Sequence, residues 1–313
     1  MNQIPRINLE DFLSNDSEKK DEFVKKLGNA FSEIGFVALK GHFLSSEIIE
    51  ELYLQIEAFF KLPLEVKEKY EILNLAGQRG YTSFGKEHAK GRKAGDLKEF
   101  WHFGQYLEKD DLNLIYPDNI IISEIPKFNE IGKKAYQLLE RTALYVLRGI
   151  ASYLELEEKY FDGYIKNGNS ILRPIHYPPI LEEPKEAERA AAHGNINLIT
   201  LLMGAQGPGL QVKNNSGQWI DAIAKEGELM INIGDMLSRH TNNRLKSSIH
   251  RVINPTKTHW GKSRYSIPFF MHPLSSMPLD CIDKCIDEKN PKAFEDITAG
   301  KFLNERLIDL GLI

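Results

Sequence analysis

The chain has 313 residues, of which 42% are hydrophobic and 27% charged, enough to bury a sizeable core in one domain or two. Forty basic against 44 acidic residues leave a formal charge of -4, which excludes a protein that holds nucleic acid through bulk positive charge. No run of about 18 apolar residues occurs, and Met1–Arg6 lacks an apolar leader, so no membrane partner is expected and the expected location is cytoplasmic.

In chain order, Ile4–Leu9 reads as a short extended segment. Residues 16–31 have helical apolar spacing at Phe23, Val24, Leu27 and Phe31. Gly35–Leu39 is a compact buried strand followed by the turn Lys40-Gly41-His42. Ser45-Ser46 caps a helix that runs to about Phe60, where Pro63 interrupts it. Basic residues gather between Lys86 and Lys98, but acidic residues interleave with them, and the stretch reads as a solvated loop. A long helix is predicted from Pro126 to about Leu156, with Ile131, Ala135, Leu138, Leu139 and Val146 on one side.

Beyond residue 168 the texture changes to short apolar segments: ILRPIHY, NLITLLMG, GLQVKN, GQWIDAI, ELMINIG, SSIHRVIN and RYSIPFFMH. Turn signals separate them, among them Gly207-Pro208-Gly209, Asn214-Asn215-Ser216-Gly217 and Gly234-Asp235. Regular short strands with such separators argue for an antiparallel sandwich or barrel. Thr298–Ile313 reads as a closing helix. Cys281 and Cys285, spaced C-x3-C with no second Cys/His pair nearby, are expected to be free thiols rather than a zinc site. The whole reads as one α+β unit: residues 1–160 form a mixed, mostly helical shell on a β core over 168–313.

Nine histidines are present. His193 lies in Ala-Ala-His-Gly-Asn just ahead of the apolar strand Leu198–Leu202; in extended chain, side chains at i and i+2 share a side, so His193 and Asn195 can meet one metal ion. His250 follows in Ser-Ser-Ile-His-Arg-Val. Arg264 and Ser266 form another i, i+2 pair. Three protein ligands on one face leave coordination positions for a chelating cosubstrate and dioxygen. An arginine below them can take a distal carboxylate in a bidentate pair, helped by a serine hydroxyl.

These stretches resemble the isopenicillin-N-synthase-like branch of the Fe(II)- and 2-oxoglutarate-dependent oxygenases. The resemblance runs over nearly the whole chain and rests on GFVALKGH (35–42), LRPIHYPP (172–179), AAHGNINLITLL (191–202), GLQVKNNSGQW (209–219), GDMLSRHTNNRLKSSIHRV (234–252) and RYSIPFFMHP (264–273). It implies a double-stranded β-helix (jelly roll) core, Fe(II) at His193, Asn195 and His250, and 2-oxoglutarate as cosubstrate. It implies further that Arg264 and Ser266 hold the far carboxylate, that Tyr177 helps bind the metal-side carboxylate, and that a small molecule is oxidised by dioxygen.

One position departs from the family's His-x-Asp motif: residue 195 is asparagine, nearly isosteric with aspartate but uncharged. An intact oxygenase with reduced or lost turnover is the preferred reading. A halogenase is disfavoured, because asparagine does not leave the vacancy a halide needs. An oxidase that does not use 2-oxoglutarate and a non-catalytic ligand-binding relative remain as alternatives.

Other residues carry bland readings. A histidine beside an apolar strand is usually a hydrogen-bonded core residue, and only the joint spacing of His193, His250 and Arg264 reverses that prior; His240, the rival for the distal ligand, lacks the strand context and is read as structural or pocket-lining. Asp235 reads as a turn former. Tyr177 could equally pack beside its Pro-Pro turn. Arg79, Tyr81, Phe84 and the FWHFG segment (100–104) are pocket-mouth candidates, with aromatic core packing equally expected for Phe100, Trp101 and Phe103.

Overall fold

The computed structural model describes residues 3–72, 75, 77–86, 96–107, 116–183, 188–203 and 209–309. Residues 87–95 of the loop expected at Lys86–Lys98, the Gly207-Pro208 turn and the end of the closing helix, 310–313, lie outside them.

The chain begins with strand β1 (Arg6–Asn8), and the Asn8 side chain then caps helix α1 (Leu9–Leu13), which the sequence reading did not anticipate. Helix α2 (Ser17–Glu33) starts at Asp16, whose carboxylate accepts the backbone N–H groups of Glu18 and Lys19; it buries Phe23, Leu27 and Phe31. Gly35, at φ +69°, turns the chain into β2 (Phe36–Lys40). Ser45 caps α3 (Ser46–Phe60) by accepting the Ile48 N–H, and a short α4 (Leu64–Lys67) follows Pro63. Strands β3 (Gly80–Thr82) and β4 (Glu99–Gly104) pair antiparallel. Helix α5 (Pro126–Tyr153) stops short of Leu156 because Glu155 takes φ +58°, and α6 (Asp162–Ile165) follows.

The later segments become strands. Residues 171–177 give two of them, β5 (Ile171–Leu172) and β6 (Ile175–Tyr177), with Pro174 in the gap. Next come β7 (Ala190–His193), β8 (Ile199–Met203), β9 (Leu210–Lys213), β10 (Trp219–Asp221) and β11 (Leu229–Ile233). Helix α7 (Asp235–His240), β12 (His250–Val252), β13 (Arg264–Met271) and the closing α8 (Ala299–Asp309) complete the order. Strand β7 was not expected, since its Ala-rich sequence carries little β signal.

The strands form two sheets. The larger runs β1-β2-β11-β8-β13-β5-β4-β3, with β6 beside β13 and β4; the smaller runs β10-β9-β12-β7. Among the described residues only β1 and β2 pair parallel, so the architecture is α+β with one mixed sheet, and β1–β4, from the first 104 residues, join the larger sheet.

Alternation along the strands decides which layer each side chain enters. Val37 and Leu39, Leu201 and Met203, Ile231 and Ile233, and Ile267 and Phe269 point to the main core, which also takes in α2, α3 and α5. Their neighbours Phe36, Ala38, Leu202 and Met230 point the other way and pack against Leu210, Val212 and Ile220 of the smaller sheet. At roughly 25 cal/mol per Å², these two apolar layers supply the driving force of folding. Within that frame Thr200, Asn232, Arg264 and Ser266 share the parity that faces away from the main core. The described helices include none long and apolar enough to cross a membrane.

Two expectations follow. A Cβ at Gly35 would sit 2.2 Å from the Lys246 carbonyl oxygen, on top of the strain of a positive φ. Gly35→Ala should therefore cost about 2–4 kcal/mol, read as a lower urea midpoint at constant slope; an unchanged midpoint would contradict the packing. His272, which follows β13, is partly buried with its Nδ1 shut off from solvent, and burial together with Arg173 pushes its imidazole down to about 4. Its folded value lies below the ordinary 6.5, so protonation favours the unfolded chain. This stability is complete above about pH 6.5 and is lost as pH falls toward 4, up to about 3 kcal/mol. His272→Gln should flatten the stability–pH curve across that window; an identical slope would remove His272 from the account.

Candidate functional site

The smaller sheet pairs β12 with β7 antiparallel and sets His250 directly opposite His193. Their ring centroids lie 4.5 Å apart, tilted by 54°. The register slips between this pair and the next, Val252 with Ala190, a bulge of the kind that re-aims a side chain at a strand end. Each imidazole is oriented by its own backbone: Nδ1 of His193 bonds Ala191 O at 2.7 Å, and Nδ1 of His250 bonds Ser248 O at 3.1 Å. With Nδ1 as donor, Nε2 carries the lone pair in both rings. His193 is exposed and His250 buried, edge-on to Phe36 at 5.6 Å. Burial and the neighbouring His193 push His250 down to about 3, so it is neutral at physiological pH.

Asn195 sits in the segment that crosses from β7 in the smaller sheet to β8 in the larger one, rather than in the continuous extended strand expected from the sequence. It is buried. Its amide Nδ2 donates to Thr200 Oγ1 at 2.7 Å and, more weakly, to Asn232 Oδ1 at 3.4 Å. Thr200 and Asn232 face one another across β8 and β11. The amide nitrogen is thus committed to the larger sheet, and Oδ1 occupies the other branch of the group.

Asp235, read from the sequence as a turn former, starts α7 and does more than turn the chain. Its N–H donates to Asn195 O at 2.7 Å, and its carboxylate accepts the Ser247 hydroxyl at 2.5 Å. Burial pushes that carboxyl up, and the Ser247 hydroxyl, then Arg306 and His193, pull it partly back. His240 is structural as expected: Nε2 meets Tyr160 Oη at 2.9 Å and Nδ1 meets Asp280 O at 2.6 Å.

Strand β13 places Arg264 opposite Tyr177 of β6 and Ser266 opposite Ile175. All three candidate side chains, Arg264, Ser266 and Tyr177, are buried. The Arg264 guanidinium lies over the Tyr177 ring, 5.0 Å from its centroid, yet its Nε and Nη1 are buried without a hydrogen-bond partner. Among the described residues no carboxylate forms an ion pair with it. A buried guanidinium with idle donors is costly unless an anion completes it.

A buried polar cluster fixes β6 behind Tyr177. Glu99 of β4 accepts from Lys67 Nζ at 2.7 Å, from the Tyr81 hydroxyl, and from His176 Nδ1 at 2.7 Å. Burial raises the Glu99 carboxyl, but these three bonds outweigh it and hold it below the ordinary carboxylate value. His176 stacks on Tyr265 at 4.8 Å. Nothing in the sequence reading singled out this cluster, because its members lie far apart in the chain.

Of the pocket-mouth candidates, Arg79, Tyr81, Trp101 and Phe103 are wholly buried; Trp101 and Phe103 pack with Phe59 and Phe128. Phe84 is half exposed. Phe100 turns to the other side together with His102, whose ring lies 4.9 Å away, and joins Ile175 and Tyr177, with Arg173 over its ring at 4.5 Å. Cys281 and Cys285 are free and buried.

The donor set tests directly for an iron and 2-oxoglutarate site. Two imidazoles, each held through Nδ1 by a backbone carbonyl, offer their Nε2 atoms, and the unpartnered buried guanidinium fits a carboxylate. The third donor expected of such a site is present only as an uncharged amide.

Comparisons with known proteins agree. Residues 4–124 match the family described as the N-terminal part of non-haem dioxygenases in morphine synthesis, and residues 168–273 match the 2OG-Fe(II) oxygenase superfamily. The 2-oxoglutarate-Fe(II) type oxidoreductase hxnY of Emericella nidulans is 30% identical over 305 residues, covering 94% of this chain and 86% of that protein. A crystal structure of a Caulobacter crescentus protein assigned to the 2OG-Fe(II) oxygenase family superposes with a TM-score of 0.88 at 39% identity, covering 99% and 100% of the two chains. A full-length Neurospora crassa protein, solved in complex with alpha-KG, gives 0.85 at 30% identity over 97% and 96%. The chain belongs to the 2OG-Fe(II) oxygenase superfamily, whose members use Fe(II) and 2-oxoglutarate.

Proposed function

We propose that this chain is a small-molecule oxygenase of the isopenicillin-N-synthase-like branch, built on a double-stranded β-helix, with His193, Asn195 Oδ1 and His250 as its iron ligands. The observation that carries the proposal is the pair of facing imidazoles on one side and the unpartnered buried guanidinium of Arg264 on the other. Arg264 and Ser266 would grip the far carboxylate of 2-oxoglutarate, with the Tyr177 hydroxyl at the metal-side carboxylate. When bound, iron supplies the oxidising chemistry with dioxygen. The protein's part is orientation: backbone carbonyls fix both imidazoles, Thr200 and Asn232 fix the amide, and Tyr177 holds Arg264 from one face. Hydroxylation is the default outcome for the substrate.

Asn195 favours a second reading as well. A neutral amide leaves a bound ferrous ion one unit more positive than a carboxylate does, so iron is held less tightly and turnover is reduced or lost. In the limit the chain is a ligand-binding relative that keeps the pocket. An oxidase that grips its own substrate's carboxylate at Arg264, without 2-oxoglutarate, is the alternative within the enzyme class. Anaerobic titration of the iron-loaded protein with 2-oxoglutarate separates these: chelation gives a weak visible charge-transfer band, and no band with iron bound rules out the cosubstrate.

Asn195→Asp should raise iron affinity by about tenfold or more, which needs only about 1.4 kcal/mol of a larger ion–carboxylate attraction. It should also raise uncoupled conversion of 2-oxoglutarate to succinate. If neither rises, residue 195 is not at the ligand position. Arg264→Ala should weaken 2-oxoglutarate binding by about 30-fold or more, since it leaves a buried carboxylate unpaired, while iron affinity changes less than about twofold. Equal losses of both would mean that Arg264 supports the fold instead.

A further inference from the structure

Arg189 immediately precedes β7 and was not marked by any sequence signal. It is buried, 4% exposed, and pinned at both ends: its backbone N–H donates to Asn254 Oδ1 at 2.9 Å, and its Nη2 donates to Lys262 O at 3.2 Å. Its Nε is buried with no hydrogen-bond partner. The guanidinium lies 5.8 Å from the centroid of the Tyr177 ring, the same ring that carries Arg264 at 5.0 Å. Two cations thus share one phenol, each with idle buried donors, and among the described residues neither has an acidic partner.

Such an arrangement is unfavourable by itself. Like charges repel, and each guanidinium presents five donors that must be satisfied. Burial and the proximity of Arg264 hold Arg189 down to about 10, still cationic at neutral pH. An anion with two oxygens and room for several donors resolves both problems at once. Position argues the same way. Arg189 contacts the backbone of Lys262, two residues before Arg264, so both guanidiniums lie at the start of β13. His193 lies four residues further along the chain, on the order of 13 Å if fully extended.

We propose that Arg189, together with Arg264, binds the far anionic end of the 2-oxoglutarate cosubstrate across the Tyr177 ring. The proposal rests on the reading of Arg264 given above and adds a second positive charge to it. The pocket would then select dianionic oxo acids over oxo acids with a single carboxylate more strongly than one guanidinium does.

The test uses the full chain, stripped of metal with EDTA, titrated calorimetrically with 2-oxoglutarate and with 2-oxopentanoate, the same carbon chain lacking the far carboxylate. Arg189→Gln should raise the Kd for 2-oxoglutarate about tenfold or more and flatten its salt dependence. Its Kd for 2-oxopentanoate should stay within about twofold. Arg189→Lys, which keeps the charge and loses the planar fork, should fall between wild type and Gln. Wild-type affinity for 2-oxoglutarate in Arg189→Gln overturns the proposal, as does equal weakening for both ligands, which would mark a packing role. If Arg264→Gln abolishes 2-oxoglutarate binding while Arg189→Gln does not, the Arg189 assignment alone falls. If Arg264→Gln leaves binding intact, or wild type binds 2-oxoglutarate no better than 2-oxopentanoate, both readings fall together. Should Arg189→Gln not fold, the Lys variant decides: a Kd equal to wild type at every salt concentration overturns the fork geometry on which the proposal depends.

Discussion

The pairing of β12 with β7 is the constraint from which the site follows. That antiparallel register brings residues 57 positions apart into one cross-strand pair, and the backbone carbonyls of Ala191 and Ser248 then choose the tautomer of each ring. Shifting the register by one residue would turn one imidazole to the opposite face. Among the described residues the smaller sheet has four strands, and it shares an apolar layer with the larger one, where Phe36 both packs in that layer and touches His250. Packing and chemistry meet in a single phenylalanine.

The other half of the site depends on alternation along β13. Tyr265, Ile267 and Phe269 enter the main core, so Arg264 and Ser266 are turned the other way whatever their own preferences. Burial of the apolar partners outweighs the cost of burying a guanidinium, and Tyr177 offsets part of that cost through its ring face. The Glu99 cluster matters here because it locks His176, the residue before Tyr177, against β4 and β13. Charges that look merely structural thereby set where the phenol can stand.

Much of this was legible in the sequence, for identifiable reasons. The apolar spacing over residues 16–31, the cap at Ser45, the buried run Gly35–Leu39 and the turn-separated segments after residue 168 are local signals, and each became the expected kind of element. What was missed depends on distance in the chain or on weak local propensity. Strand β7 is mostly alanine, so the stretch bearing His193 reads as a lead-in to β8, whereas it belongs to the other sheet. Asn195 accordingly bridges two sheets instead of continuing one strand. Arg189 could not be seen without β7. Asp235 reads as a turn residue until Ser247 and Asn195 are brought beside it.

Residue 195 also has a mechanical meaning. Its side chain is anchored to Thr200 and Asn232, on adjacent central strands of the larger sheet, and its carbonyl is tied to the first residue of α7. A force applied at its oxygen is therefore passed through the amide to two paired strands rather than to the connecting segment alone. Any ion drawn there must accept the position offered, because the scaffold has little freedom to adjust to the ion.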